Sequence, residues 1–122
     1  MKKLMVEVVV SKDAGKLMEK NLERDSIENK LTIYIDSIEL YNRSFSPRRK
    51  ELLQLVMKKP DLTVSEIALK LKRKKEAISR DLLRLSLAGL VELRRRGRNV
   101  FVQPRAREIR FRIEEKPIVS YA

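Results

Sequence analysis

The sequence predicts an α+β fold, and three observations support this class. Residues 4–10 are rich in β-branched side chains and residues 31–35 alternate apolar and polar side chains, and both patterns are typical of strands. A helical period lies between these two segments. Three further helical periods follow one another between residues 47 and 89. Residues 90–102 contain two β-rich runs on either side of a turn made of arginines and Gly97. Together these patterns indicate a winged helix-turn-helix preceded by a β-α-β element.

The first 45 residues predict the β-α-β element. Residues 4–10 form a strand, residues 16–24 a short amphipathic helix and residues 31–35 a second strand. A two-stranded sheet of this size cannot cover both of its faces, so its apolar surface must meet something else. A second copy of the chain is the simplest candidate, and we expect residues 1–45 to be a dimerisation or partner-binding unit. Ser37 is placed to cap a short helix that leads out of this unit.

Residues 46–122 predict the winged helix-turn-helix domain. Ser46 followed by Pro47 is typical of a helix start, because proline lacks the N–H that the first helical position leaves unbonded. This helix should end near Lys59, since Pro60 disfavours helical geometry in the residue before it.

The next two helical periods predict the helix-turn-helix itself. Either Thr63 or Ser65 caps the second helix. The third helix is the predicted recognition helix, at about residues 74–88, and it ends at Gly89, which adopts a left-handed conformation at low cost. A last strand is expected over residues 108–114.

The formal net charge of +12 is confined to one part of the chain. Up to Ser46, eight Lys or Arg residues are balanced by eight Asp or Glu residues, so the whole excess lies in residues 47–122. A basic domain beside a neutral one favours a polyanionic partner for the basic domain. The alternative is the charged surface of a heat-tolerant protein, which explains the number of charges but not their distribution.

The chain contains neither cysteine nor histidine. This excludes zinc fingers, Cys–His nucleophiles, Ser-His-Asp triads and disulfide frameworks. We therefore expect no enzymatic activity, no metal and no cofactor. Residues 1–10 are apolar but too short to span a bilayer, and they lack a signal-peptide cleavage site, so a cytoplasmic protein with no membrane partner is expected.

Cations are predicted at the three places where a winged helix meets double-stranded DNA. These places are the turn that opens the recognition helix, the outer face of that helix, and the basic wing at residues 94–99. The predicted DNA-binding residues are Lys72, Arg73, Lys74, Lys75, Ser79, Arg80, Arg84, Arg94, Arg95, Arg96 and Arg98. Arg80 is expected to read a base, because a guanidinium can bond both acceptors of guanine. The lysines are expected to contact phosphates.

Each of these assignments has a structural alternative. The lysine cluster could be a solvated polar face. The wing arginines are expected to enter a narrow minor groove, but they could instead protect an edge hairpin from aggregation. Glu76 is better explained by the dipole of the helix than by a cytosine contact. Asp81 is expected to pair with a neighbouring Arg or Lys and so to stabilise the fold.

Three segments of the chain resemble a known family. They are SPRRKELLQLV, VSEIALKLKR and ISRDLLRLSLAGLV, and a short basic wing follows them. Over about Asp36 to Pro104 the sequence is similar to small archaeal and bacterial predicted transcriptional regulators of antitoxin type, and over less of its length to MarR-like and ArsR-like winged-helix repressors. The resemblance implies a protein that is usually dimeric. It also implies that operator DNA is contacted by the wing and by Lys75, Ser79, Arg80 and Arg84.

The leading hypothesis is a dimeric, sequence-specific regulator of transcription that binds a roughly palindromic DNA site. A winged helix that binds RNA or the ribosome is one alternative, although aromatic residues for base stacking make up only 5% of the chain. An antitoxin-type module, whose N-terminal unit neutralises a toxin, is another.

Overall fold

The computed structural model describes residues 3–27 and 29–114, and only the backbone of residues 21–27. The described chain divides into two units. One is Phe45–Arg107 with residues 3 and 4, and the other is Met5–Ser44 with residues 108–114. In chain order the elements are β1 (Leu4–Val10), α1 (Ala14–Ile27), β2 (Lys30–Ile35), α2 (Ile38–Ser44), α3 (Pro47–Lys58), β3 (Leu62–Thr63), α4 (Val64–Leu71), α5 (Lys75–Leu87), β4 (Val91–Arg96), β5 (Asn99–Pro104) and β6 (Ala106–Ile113).

The predicted β-α-β element is present, with β1 and β2 paired in parallel from Met5–Lys30 to Val10–Ile35. The last strand, β6, joins the same sheet on the other side of β1, in the order β2-β1-β6. Hydrogen bonds from Leu4 N to Arg105 O (2.7 Å) and from Glu114 N to Val10 O (2.8 Å) bracket β6, so it also runs parallel to β1.

The apolar pattern of residues 108–114 predicts a strand but not the sheet that receives it. Sequence order alone assigns this strand to residues 46–122, whereas in the structure it pairs with β1, about a hundred residues earlier. The third strand lets the β-branched side chains of β1 become fully buried, and Val6, Val8 and Val9 are 0% exposed.

The helix starts of the second unit follow the predicted capping chemistry. The Ser46 side chain accepts a hydrogen bond from Arg49 N at 3.4 Å, and Pro47 opens α3. Thr63 caps α4 rather than Ser65, because its hydroxyl accepts from Glu66 N at 3.1 Å while the Glu66 carboxylate accepts from Thr63 N at 3.0 Å. This reciprocal pair is a capping box, and it also lowers the pKa of Glu66 through the hydrogen bonds from Thr63.

The fold is a winged helix-turn-helix. Gly89 follows α5 in a left-handed conformation (φ 86°), and Gly97 (φ 63°) turns the hairpin of β4 and β5. These two strands are antiparallel, from Val91–Pro104 to Arg96–Asn99. The two-residue strand β3, too short for its pattern to be seen in the sequence, adds to β5 and ties the start of α4 to the wing.

The core of this unit lies between α3, α4, α5 and the hairpin. Leu55 and Leu71, which the helical pattern also predicts as core, are only partly buried. The fully or almost fully buried apolar side chains are Phe45, Leu52, Leu53, Val56, Val64, Ile67, Ala68, Ile78, Leu82, Leu85, Leu90, Val91, Val102 and Ala106. Because α5 buries one side in this core, its opposite side is left to solvent.

Candidate nucleic-acid interface

The turn between α4 and α5 consists of three basic residues, Lys72, Arg73 and Lys74. Lys72 ends α4 in a left-handed conformation (φ 54°, ψ 45°), where its N–H bonds to the carbonyls of Ala68 and Leu69. For a residue other than glycine, this left-handed conformation costs about 1 kcal/mol relative to the right-handed helical one. The turn leaves Lys72, Lys74 and the adjoining Lys75 exposed.

The N-terminus of α5 has no side-chain cap, since Lys74 makes no capping hydrogen bond. Its first N–H groups are therefore not satisfied by a side chain, and they lie at the positive end of the helix dipole. Lys74 just before the helix start and Lys75 at its first position are both exposed, so the N-terminus of α5 is favourable for binding a phosphate. Glu76 lies in the first turn, where the dipole stabilises its carboxylate.

The outer face of α5 carries the predicted contact residues of the recognition helix. Ile78, Leu82 and Leu85 are buried on the inner side. Ser79, Arg80 and Arg84 are exposed. The helical pattern therefore assigns these six residues to their correct sides of the helix.

A groove of about 200 Å³ brings α5 and the wing together. Lys75 and Ser79 line it from α5, and Arg95 and Arg98 line it from the wing. Fifteen residues of chain, from Arg80 to Arg94, lie between the two pairs, so folding places these three cations and one hydroxyl around one concave surface.

The wing arginines divide into two pairs. Arg94 donates from Nε to Glu92 Oε1 at 3.1 Å, and the Arg96 guanidinium lies 5.3 Å from the centre of the Phe101 ring. Successive side chains on a strand point to opposite faces, so Arg95 lies on the other face of β4 from these two. Arg95 and Arg98 are the wing arginines that line the groove.

Arg73 is placed differently from the other predicted contacts. Its Nη2 donates to Asp81 Oδ2 at 2.8 Å, and Arg49 Nε of α3 donates to Asp81 Oδ1 at 3.1 Å. The Arg73 and Asp81 side chains are only 17% and 13% exposed. The Arg73 guanidinium is bonded inside the fold, and this position argues against the expected contact of Arg73 with DNA. The pairing of Asp81 with an arginine agrees with its predicted role, although the pair is largely buried rather than on the surface.

Burial by itself raises the pKa of the Asp81 carboxyl, but the hydrogen bonds and charges of Arg73 and Arg49 outweigh this effect and hold the pKa below the ordinary value of 3.8. A carboxyl whose pKa is lower in the folded state stabilises the fold above its unfolded pKa. We expect the stability advantage of the wild type over Asp81→Asn to be complete above about pH 5 and to shrink as the pH falls below about 4. Urea unfolding of both proteins between pH 7 and pH 3 measures this difference, and a difference that does not change with pH would contradict the expectation.

Ser65 and Asn99 also line the groove, although neither is among the predicted DNA-binding residues. Both are exposed, and their hydroxyl and amide groups can donate to a phosphate oxygen. The signal for Asn99 was its place directly after the Gly97-Arg98 turn. The sequence marked Ser65 only as a possible helix cap and not as a groove residue, because the approach of α4 to the wing depends on the strand pair of β3 and β5.

The other unit has a cleft of about 880 Å³ at the carboxyl ends of β1 and β2, with the opposite electrostatic character. One lysine, Lys12, lines it together with four carboxylates, which are those of Asp13, Asp36, Glu39 and Glu114. Phosphates would be repelled here, so the groove of the winged helix is the better site for a nucleic acid. Among the side chains that the structure describes, those of residues 3–20 and 29–114, no cluster of acidic groups is arranged to hold a metal ion. No helix of the same residues is long and apolar enough to cross a membrane.

The sequence and the fold are similar to known families and structures. The model of the HVO_A0114 family matches residues 44–111, which is more than half of the chain and includes α3, α4, α5 and the wing. No curated protein matches the sequence.

Two solved structures are among those similar to this chain. Reduced HlyU from Vibrio cholerae is 23% identical, with a TM-score of 0.50 over 75% of this chain and 82% of its own. The homodimeric winged helix-turn-helix DNA-binding domain of Mb0332 from Mycobacterium bovis, a possible ArsR-family transcriptional regulator, is 26% identical, with a TM-score of 0.48 over 53% of this chain. The similarity covers 60% of the length of that domain.

Proposed function

The chain belongs to the HVO_A0114 family, and we propose that it is a transcriptional regulator that binds double-stranded DNA sequence-specifically through α5 and the wing. The observation that carries this proposal is the groove shared by Lys75 and Ser79 of α5 and by Arg95 and Arg98 of the wing. In a winged helix-turn-helix, the recognition helix enters the major groove of DNA. The wing then lies beside it, next to the flanking backbone or the minor groove.

The proposed contacts have two roles, phosphate binding and base recognition. Lys72, Lys74 and Lys75 surround the uncapped start of α5, so they would hold phosphates without regard to sequence. Arg80 projects from the outer face of α5 and would read guanine in the major groove. The remaining proposed DNA contacts are Ser79, Arg84, Arg94, Arg95, Arg96 and Arg98.

We also propose that the regulator acts as a homodimer through the unit that contains the parallel sheet. This unit exposes apolar side chains on β6 and α2, with Phe111 41%, Ile113 58% and Ile38 45% exposed. A second copy would cover part of this surface and present two recognition helices to a roughly palindromic site. The cytoplasmic location and an antitoxin-type protein partner remain predictions.

Selection of bound sequences from a random duplex pool by the full chain tests the proposal. We expect one sequence, with approximate two-fold symmetry, to be enriched and to bind more tightly than random duplex at the same salt concentration. Enrichment of no sequence would contradict the proposal. Displacement of the duplex by an equal concentration of double-stranded RNA would favour the RNA-binding alternative instead.

Replacing Lys75 with alanine should weaken binding to the selected and the random duplex by the same factor. A phosphate contact releases a counterion whatever the sequence, so the slope of log K against log salt should become shallower by about 1. Fluorescence anisotropy over a salt series measures both quantities. Lys12→Ala removes the same charge from the acidic cleft of the other unit and should leave the slope unchanged. A loss confined to the selected duplex would instead assign Lys75 to base contact.

A further inference from the structure

The outer face of α5 carries apolar side chains among its cations. Leu83 is 54% exposed and Leu87 is 81% exposed. Leu83 follows Arg80 by three residues and Ser79 by four, so all three side chains are neighbours on one face of the helix. The buried side of α5 consists of Ile78, Leu82 and Leu85, so Leu83 lies outside the hydrophobic core.

A single exposed leucine is ordinary in a protein surface and needs no explanation. The position of Leu83 is informative because its neighbours are the groups proposed to enter the major groove. Arg80 and Arg84 lie on the same outer side of α5 and are both exposed. An apolar protein surface that covered Leu83 would also remove water from these two guanidinium groups without offering them acceptors, which is costly. The charges around Leu83 therefore favour a polyanion as the molecule that covers it.

The major groove of DNA offers one apolar feature to such a side chain, the 5-methyl group of thymine. Three residues of α-helix advance about 4.5 Å along the axis, and one base-pair step advances about 3.4 Å. A helix that lies along the groove would thus place Leu83 one or two base pairs from the base that Arg80 contacts.

We propose that Leu83 is a specificity-determining residue that contacts the methyl group of a thymine one or two base pairs from the guanine bonded by Arg80. The inference rests on the proposed function, because it requires α5 to lie in the major groove. It goes further in stating that α5 selects a combination of guanine and thymine, and that the thymine is recognised by its methyl group and not by hydrogen bonds.

Replacing single thymines of the selected duplex with deoxyuridine tests this contact. Deoxyuridine lacks the methyl group and keeps every hydrogen-bonding group of thymine. We expect the wild type to lose about three- to tenfold in affinity at one thymine of each half-site, in keeping with the burial of one methyl group. Leu83→Ala should lose a similar factor on the thymine duplex and should bind the thymine and deoxyuridine duplexes equally at that position.

Leu69→Ala is the matched control, because Leu69 is 79% exposed on α4 and not on the recognition helix. This variant should keep the wild-type preference for thymine. Circular dichroism of each variant establishes that the fold is retained, as expected for side chains in solvent.

Four results would overturn the inference. The first is a Leu83→Ala protein that keeps the wild-type preference for thymine at every position. The second is a changed oligomeric state with equal losses on thymine and deoxyuridine duplexes, which would show that a second copy covers Leu83. The third is the absence of any selected duplex, which would overturn the proposed function as well. A wild type that selects a duplex but binds thymine and deoxyuridine equally would overturn only the role of Leu83.

Discussion

Replacing Asp81 with alanine is expected to lower the free energy of unfolding by about 2–4 kcal/mol. The Asp81 carboxylate accepts from Arg73 at 2.8 Å and from Arg49 at 3.1 Å, and its side chain is 13% exposed. Its removal leaves the Arg73 guanidinium largely buried without a counter-charge. Among the described residues, Nε and Nη1 of Arg73 already have no acceptor, so the loss of the bond from Nη2 to Asp81 would leave one more buried donor of this guanidinium unpaired. Urea or thermal unfolding of the full chain measures the loss.

Glu92→Ala is the matched control for this prediction. Glu92 also accepts from an arginine at 3.1 Å, but the Arg94 and Glu92 side chains are 50% and 34% exposed. Water solvates both charged groups when such an exposed pair is broken, so the expected loss in the free energy of unfolding is below about 1 kcal/mol. The double variant Arg73→Met with Asp81→Leu replaces two of the three charged groups of the network by apolar groups, leaving Arg49, and should recover part of the stability. Equal losses of stability for Asp81→Ala and Glu92→Ala would show that burial does not increase the contribution of the Arg73–Asp81 pair to stability.

The network also determines how the recognition helix is held. Arg49 belongs to α3, Arg73 to the turn before α5, and Asp81 to α5 itself. The Asp81 carboxylate therefore holds α5 to α3 and to the turn directly before α5. The charged residues of this region serve two purposes, since Arg73 stabilises the helix-turn-helix while Lys72 and Lys74 on either side of it are exposed.

Local chemistry made most of the winged helix predictable from the sequence. Helix starts at Ser46 and Thr63 and the turn glycines Gly89 and Gly97 depend on neighbouring residues only, and the structure confirms each of them. The faces of α5 were predictable for a similar reason, because the 3.6-residue period separates buried from exposed positions within one helix.

Contacts between distant segments were not predictable in this way. The pairing of β6 with β1 and the approach of α4 to the wing depend on the packing of the whole chain. Arg73 shows the consequence for the candidate site. Four consecutive basic residues, from Lys72 to Lys75, give the same sequence signal, and only the position of Asp81 relative to the turn determines which of them is turned inward.

Replacing Arg80 with alanine is expected to weaken binding to the selected duplex by about 1–3 kcal/mol, with little change on random duplex. The guanidinium is exposed on the outer face of α5. A guanidinium there can donate to both O6 and N7 of guanine, which no other base offers in that arrangement. Competition binding against duplexes changed at single positions should therefore show that preference is relaxed at one base pair of each half-site.

Arg80→Lys separates base reading from charge. A lysine keeps the positive charge, so the salt dependence should resemble that of the wild type, but it cannot reproduce the planar pair of donors, so most of the preference for guanine should be lost. A duplex that carries 7-deazaguanine at the same position removes the N7 acceptor and should weaken the wild type while leaving Arg80→Ala unaffected. Equal losses by Arg80→Ala on selected and random duplex would assign Arg80 to the phosphates. The guanine preference would then have to come from another exposed group of α5 or the wing, because Arg73, the arginine of the turn before α5, is bonded to Asp81.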